Sequence, residues 1–304
     1  MLAAFSLASC DRNDDNTTVI HDTVYITPGT ETPAGAFDQY GASKSTFSVG
    51  EGVSVRFSRG NLQYQASTGT WRFAEHQFDY LATANNNISS TYSGWIDLFA
   101  WGTSGWNSGA NCYQPWSTSG TDSDYYPGGS YTNSLTGQYA NADWGVYNAI
   151  SNGGNKTGLW RTLSRDEWTY LFYTRTDASN KYATARIEQI PGIVILPDVW
   201  TLPTGLLFTP GMNGYYSNTY TVDQWTRMEE AGAIFLPAAG TRIFEVGYVN
   251  WLVKVQGVQD EGRYWSTTQV GDKWADFLYF YEDNVSLGNM GKHDGAAVRL
   301  VRDL

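Results

Sequence analysis

Positive charge is scarce in this chain. Lys and Arg number 19 against 30 Asp and Glu, for a net charge of −11. Nucleic acid is therefore excluded as a partner, because phosphate binding needs clustered cations to displace counterions. Adsorption to an anionic membrane surface is excluded on the same ground. Cysteine is nearly absent, with only Cys10 and Cys112, and the three histidines (His21, His76 and His293) are scattered. No structural zinc set is expected from such spacing. No apolar run approaches the roughly 18 residues that span a bilayer. Charged residues of both signs make up only 16% of the chain, whereas aromatics reach 15%, with 13 Trp and 21 Tyr. The 304 residues, 41% hydrophobic, suffice for one large domain or two modest ones with a real core. Trp and Tyr join an apolar face to a polar handle, which suits exposed recognition surfaces as well as interiors.

At the N-terminus, Leu7-Ala8-Ser9 precede Cys10, and Asp11, Asp14 and Asp15 follow closely. The arrangement resembles a bacterial lipobox followed by the acidic surface-export signal of Bacteroidetes lipoproteins, although the positively charged n-region is missing. The resemblance implies a partial signal peptide over residues 1–10, lipidation at Cys10, and anchorage at the outer membrane on the cell surface. Residues 11–41 are rich in Asp, Asn, Thr, Pro and Gly and read as a tether. Residues 42–304 remain as a single domain.

Within that domain, Val53, Val55 and Phe57 alternate on one face of an expected strand, followed by Asn61 to Tyr64 and Trp71 to Phe73. Residues 89–139 are dense in Gly, Ser, Thr and Trp and read as long loops, of the kind that serve function or are held by their own side chains. Two short helices are expected. Ser164 and Glu167 form a capping box, with Trp168, Leu171 and Phe172 on one face. Thr221 and Gln224 stand in the same relation, with Trp225, Met228 and Ala231 inward and Gly232 as the stop. Asp166, Glu167, Glu229 and Glu230 are read as caps and solvated faces rather than as acid–base pairs. Ala233 to Pro237 forms a buried-strand run, and the C-terminal part is strand-rich over residues 264–268, 274–281 and 296–301.

The order of motifs carries a resemblance. Trp160 to Trp168 (WRTLSRDEW), Phe235 to Arg242 (FLPAAGTR), Tyr264 to Thr268 (YWSTT) and Ala297 to Arg302 (AVRLVR) together resemble the Fibrobacter succinogenes major paralogous domain. The blocks Gly60 to Tyr64 and Gly94 to Gly102 look like gut Bacteroidetes lipoproteins that carry it. The resemblance covers roughly residues 45–304. It implies an α+β, C-type-lectin-like fold with long loops, two short helices and antiparallel strands, related to the formylglycine-generating-enzyme branch. Residues 262–302 also resemble the variable region of proteins diversified by retroelements. The matching scaffold positions are Tyr264, Trp265, Ser266, Ala275, Leu278, Phe280, Val298 and Arg299. The oxidase branch needs a reactive cysteine pair, and only Cys112 remains in this domain, so no enzymatic activity and no cofactor are expected. The calcium-dependent sugar motifs of animal C-type lectins are absent as well, and no metal site is expected.

Read with period two, the strand 274–281 places Leu278 and Phe280 on a core face and Phe277, Tyr279 and Tyr281 on the other, as an aromatic platform. Polar, Gly-containing loops flank it, the mixture found in adaptable paratopes. The candidate ligand-binding residues are Gln269, Val270, Asp272, Lys273, Trp274, Asp276, Phe277, Tyr279, Tyr281, Asp283, Asn284, Asn289, Lys292, His293 and Asp294. His293 beside Asp294 is read as surface rather than as a catalytic pair, and Arg299 and Arg302 as scaffold ion pairs. The expected function is ligand binding at the cell surface, with a protein or glycan on another cell or phage as partner. A structural cell-surface or pilus-tip subunit and an oxidase relative are the alternatives.

Overall fold

The computed structural model describes residues 35–246 and 251–304, so Cys10 and most of the expected tether lie outside the described residues. Four strands open the chain: β1 (Phe47–Gly50), β2 (Val53–Phe57), β3 (Leu62–Gln65) and β4 (Thr70–Phe73). Short strands β5 (Phe99–Ala100) and β6 (Arg161–Thr162) bracket the long loops, which hold a one-turn helix α1 (Trp144–Tyr147). Helix α2 (Arg165–Thr169) leads to β7 (Tyr182–Ile187), β8 (Ile190–Ile195) and β9 (Thr219–Tyr220). Helix α3 (Val222–Glu230) precedes β10 (Ile234–Pro237), β11 (Thr241–Val246) and β12 (Trp251–Gln256). The C-terminal strands are β13 (Gly262–Val270), β14 (Trp274–Phe280), β15 (Val285–Gly291), β16 (Gly295–Ala296) and β17 (Leu300–Asp303).

The architecture is mixed, with few helices and mostly antiparallel strands. Three four-stranded sheets run β1-β2-β17-β6, β10-β8-β7-β9 and β12-β11-β16-β5. A three-stranded sheet β13-β14-β15 and the hairpin β3-β4 complete the set. The last strand pairs with the second, Val301 opposite Phe57, so the chain's end is tied back to its beginning. Residues 36–41, expected in the tether, pack on the body: Ala36 and Gly41 are buried, and Asp38 pairs with Arg302 at 3.5 Å.

Both expected helices form as their caps dictate. Ser164 Oγ accepts the Glu167 N–H at 3.2 Å while Glu167 accepts the Ser164 N–H at 2.7 Å. Thr221 and Gln224 reproduce the reciprocal pair at 3.2 and 2.9 Å. Trp168, Leu171 and Phe172 are buried, as are Trp225 and Met228. Gly232, at φ +100°, ends α3 in a conformation that a side chain resists. After α2 the helix widens into a π-type turn over Tyr170–Thr174. Val55 and Phe57 are fully buried, but Val53, at the strand's end, is exposed. The hairpin β7–β8 was not apparent in the sequence. All six residues of β8 (IPGIVI) are buried, yet a proline and a glycine inside the run argue against a strand on local grounds.

Two buried clusters make the core, and the C-terminal sheet stands between them. Tyr264, Leu278, Phe280 and Val285 belong to the first; Trp265, Ala275, Phe277 and Met290 belong to the second. A strand buried on both faces does not show the in–out alternation of a half-solvated one. The capping box adds a local anchor, because Arg161 grips Glu167 at 2.7 Å and Asp303 of β17 at 2.7 Å. Ser164→Ala should lower the unfolding free energy by about 1 kcal/mol, with Ser164→Thr nearly neutral; chemical denaturation of the two variants measures the difference.

Candidate functional site

The expected ligand-binding residues separate into two ends of the C-terminal sheet, with a buried middle. The middle corrects the sequence reading. Phe277 is 5% exposed, covered by Trp265 edge-on at 6.1 Å and by the Arg263 guanidinium 5.5 Å from its ring. Asp276 is also buried, and its carboxylate meets Arg165 of α2 at 3.1 Å. Burial pushes its pKa up, and Arg165 partly opposes the shift. Phe277 therefore leaves the expected solvent platform and joins a core, because that face of β14 is packed as tightly as the face bearing Leu278. Tyr279 and Tyr281 stay half-buried, in edge-to-face contact at 5.3 Å.

From Trp274 to Tyr281 the strand advances about 3.3 Å per residue, so the two ends stand on the order of 20 Å apart. One end holds Tyr279, Tyr281 and the turn with Asp283 and Asn284, both exposed. Asn284 donates to the Tyr279 hydroxyl at 3.3 Å. The other end holds Gln269, Val270, Asp272, Lys273 and Trp274, with Lys292, His293 and Asp294 beside them. Asn289 sits between the ends, exposed, on β15 opposite Asp276.

The second end is built jointly with residues 119–135, a contribution the sequence reading did not assign. Leu135 N–H bonds to the Thr267 carbonyl at 2.9 Å, and Gln269 N–H to Ser134 Oγ at 3.2 Å. Tyr126 donates its hydroxyl to the Asp272 carbonyl. Lys292, expected on the surface, is fully buried: its ammonium lies 4.9 Å from the Trp101 ring and 4.6 Å from the Tyr126 ring. It also donates to the Tyr131 carbonyl at 3.2 Å. Burial lowers its pKa to about 8 against the opposing pull of Asp122 and Asp272. A cation held between two aromatic faces fixes the loop on the sheet. Trp274 and Tyr131, on the two segments so joined, are each 47% exposed. The long-loop composition was the available signal; nothing in it said that Tyr126 would meet residue 272.

His293 is likewise more than surface. Its Nδ1 lies 2.7 Å from Asp122 and its Nε2 3.5 Å from Asp294. Burial opposes its protonation, but the hydrogen bond to Asp122 and the nearby carboxylates outweigh it and raise the pKa. Gly291 leaves the space that the imidazole fills, since a Cβ there would lie 2.6 Å from His293 Cε1. The pair with Asp122 thus serves as a clasp between residues 119–135 and the C-terminal segment. Among the described residues, no group of three His, Cys, Asp or Glu side chains is placed to hold a metal ion. A cavity of about 220 Å³ lies elsewhere, between residues 205–207, residues 217–220 and Gln224.

Beneath the sheet runs a polar relay. Arg299, fully buried, donates to Asn61 at 3.2 Å and to Gln77 at 2.6 Å. Gln77 donates onward to Glu229 at 2.9 Å. Arg299 therefore serves the scaffold through amide intermediaries rather than in a direct ion pair, while Arg302 pairs with Asp38 as expected. Glu229, expected on a solvated face, is buried, and burial raises its pKa to about 7. Asp97 and Asp143 are pushed up to about 6 by the same cause. Asp166 and Glu230 remain exposed and Glu167 is the cap, as expected.

Compared with known proteins, the chain matches no family model, no curated protein and no solved structure. The site therefore rests on its own geometry. The buried carboxylates generate a prediction. The folded chain holds protons that the unfolded chain releases near pH 4, so stability falls as pH rises from about 4 to about 7. Glu229→Gln should flatten this fall by roughly 1–3 kcal/mol, and denaturation midpoints at pH 5 and pH 8 measure it; an unchanged difference between the two would contradict it.

Proposed function

We propose that the chain is a ligand-binding lipoprotein of the bacterial cell surface, of C-type-lectin-like fold and related to the Fibrobacter succinogenes major paralogous domain. Its recognition surface is the end of the C-terminal sheet where residues 119–135 meet residues 269–274 and 292–294. The observation that carries this reading is the exposure of two large aromatics, Trp274 and Tyr131, each 47% exposed, on segments fastened by the Lys292 bond to the Tyr131 carbonyl and the Tyr126 bond to the Asp272 carbonyl. Large aromatic faces on a rigid support lose little entropy when a partner covers them. The Asp272 and Lys273 side chains supply an exposed polar rim.

A binding role also agrees with the state of Cys112. Burial and the Asp124 carboxylate push its thiol pKa up, away from the thiolate form that oxidase chemistry needs. The external partner is a protein or a glycan, and the lipid on Cys10 is the only membrane contact in this reading. Retroelement diversification would act on exposed positions among residues 269–294 and leave the buried scaffold of Tyr264, Trp265, Ala275, Leu278 and Phe280 unchanged.

The test is a screen of the purified chain against arrayed host and bacterial glycans and against intact bacterial cells by flow cytometry. Trp274→Ala with Tyr131→Ala should reduce the signal at least tenfold at unchanged melting temperature, whereas Tyr279→Ala with Tyr281→Ala should leave it within about threefold. Equal binding by the Trp274/Tyr131 variant and the wild type would remove this surface. For diversification, near-identical chains from one genome should differ only within residues 269–294; differences spread through the scaffold would refute it.

A further inference from the structure

The C-terminal sheet ends on β15, whose outer edge has no backbone partner among the described residues. The ladder's parity says which groups face out. Tyr281 N–H bonds to the Asn284 carbonyl at 2.8 Å, and Lys292 N–H to the Lys273 carbonyl at 3.2 Å. With the register Tyr279↔Ser286, Phe277↔Gly288 and Ala275↔Met290, the alternation of an antiparallel pair makes those three the bonded pairs. Val285, Leu287 and Asn289 then point their N–H and C=O groups away from β14. The Val285 carbonyl accepts the Tyr173 hydroxyl at 2.8 Å, as that parity requires. The Leu287 carbonyl meets only the hydroxyl of its neighbour Ser286, at 3.4 Å.

Natural sheets usually blunt such an edge with charge, proline, a bulge or a covering segment. The strand Val285–Gly291 (VSLGNMG) has no charged residue and no proline, and it pairs with β14 over seven consecutive positions without a bulge. By contrast, the edge strands β10 and β12 carry Pro237 and Lys254. Asn289 is exposed, and Ser286, Leu287 and Gly288 are half-buried. Gly288 lies against the rings of Phe277 and Tyr279, at 3.2 and 3.3 Å from where a Cβ would stand.

We propose that β15 is an acceptor edge, which takes up an extended segment of a partner polypeptide by main-chain pairing at Leu287 and Asn289. The chemistry of the edge selects the segment. An unpaired row of alternating donors and acceptors is matched by another extended backbone. Glu282 and Asp283 are exposed at one end of the strand, so a segment with Lys or Arg beside that turn fits best. The net charge of −11 on each chain opposes pairing between two copies. The inference goes beyond the surface at Trp274 by assigning a polypeptide ligand to a separate edge, and it rests on the recognition reading only for the biological use of the segment.

The probe is a phage-displayed library of random 12-residue peptides panned on the full chain. Selected peptides, resynthesised, should protect the Leu287 and Asn289 amides from hydrogen exchange; in the free chain these exchange fast while those of Gly288 and Met290 exchange slowly. Asn289→Pro removes an outward donor and no bond to β14, and it should weaken peptide binding at least tenfold. Asn289→Lys places a charge on the edge without altering the backbone and should act in the same direction. Failure to select any peptide, binding by both Asn289 variants equal to that of the wild type, or self-association through β15 without peptide uptake would overturn the proposal. Peptide uptake without a Trp274-dependent ligand would remove the aromatic surface alone, and the reverse result would remove the acceptor edge alone.

Discussion

The arrangement depends on β14 being a partition. Leu278 and Phe280 enter one buried cluster while Ala275 and Phe277 enter the other, so the strand is fixed from both sides. Each fully buried aromatic of this kind contributes roughly 1.5–3 kcal/mol by area alone, and a one-residue slip would exchange the two faces and misfit both cores. The register is thereby pinned, and with it the positions of the turns at either end. A mid-strand binding platform and a double-sided partition are mutually exclusive. The partition leaves exposed groups only at the strand ends and the outer edge, and any recognition surface on this sheet would lie there.

The same constraint explains where the polar groups lie. A sheet packed on both faces cannot hydrate charges in its middle, so Asp276 is matched by Arg165 and Lys292 by aromatic rings and a carbonyl. Arg299 and Glu229 are linked through Gln77 rather than brought into contact. Relays of amides satisfy buried charges without requiring two ions to shed all their water together. The cost is visible in the raised carboxylate pKa values of Asp97, Asp143 and Glu229. Where water returns, at Asp272, Lys273 and Trp274, the side chains are free to meet a partner.

Local signals in the sequence carried far. Both capping boxes, the stop at Gly232, the buried run before Pro237 and the C-terminal strands follow from contacts within a few residues, which is why they were legible. Leu278 and Phe280 were placed correctly for the same reason. Phe277 was not, because period-two alternation says that two faces differ and does not say that one is wet. Glu229 was misplaced because helical spacing cannot reveal that Gln77, far away in the chain, waits to bond it. The hairpin β7–β8 was hidden by Pro191 and Gly192, whose local penalties are outweighed by burial between neighbouring strands. The share of residues 119–135 in the surface is of this nonlocal type too: Tyr126, Lys292 and residue 272 meet only in three dimensions.

The two free regions of the C-terminal sheet differ in what they can recognise. At the Trp274 end the exposed groups are side chains, so recognition there follows residue identity and changes when residues change. Along β15 the exposed groups are backbone, so recognition there follows extension and survives most side-chain substitution. A segment whose side chains vary can therefore keep a constant hydrogen-bonding edge, provided that no proline enters at the outward positions 287 and 289. The scaffold imposes the division, since only a strand held on both faces keeps its parity while the turns at its ends alter.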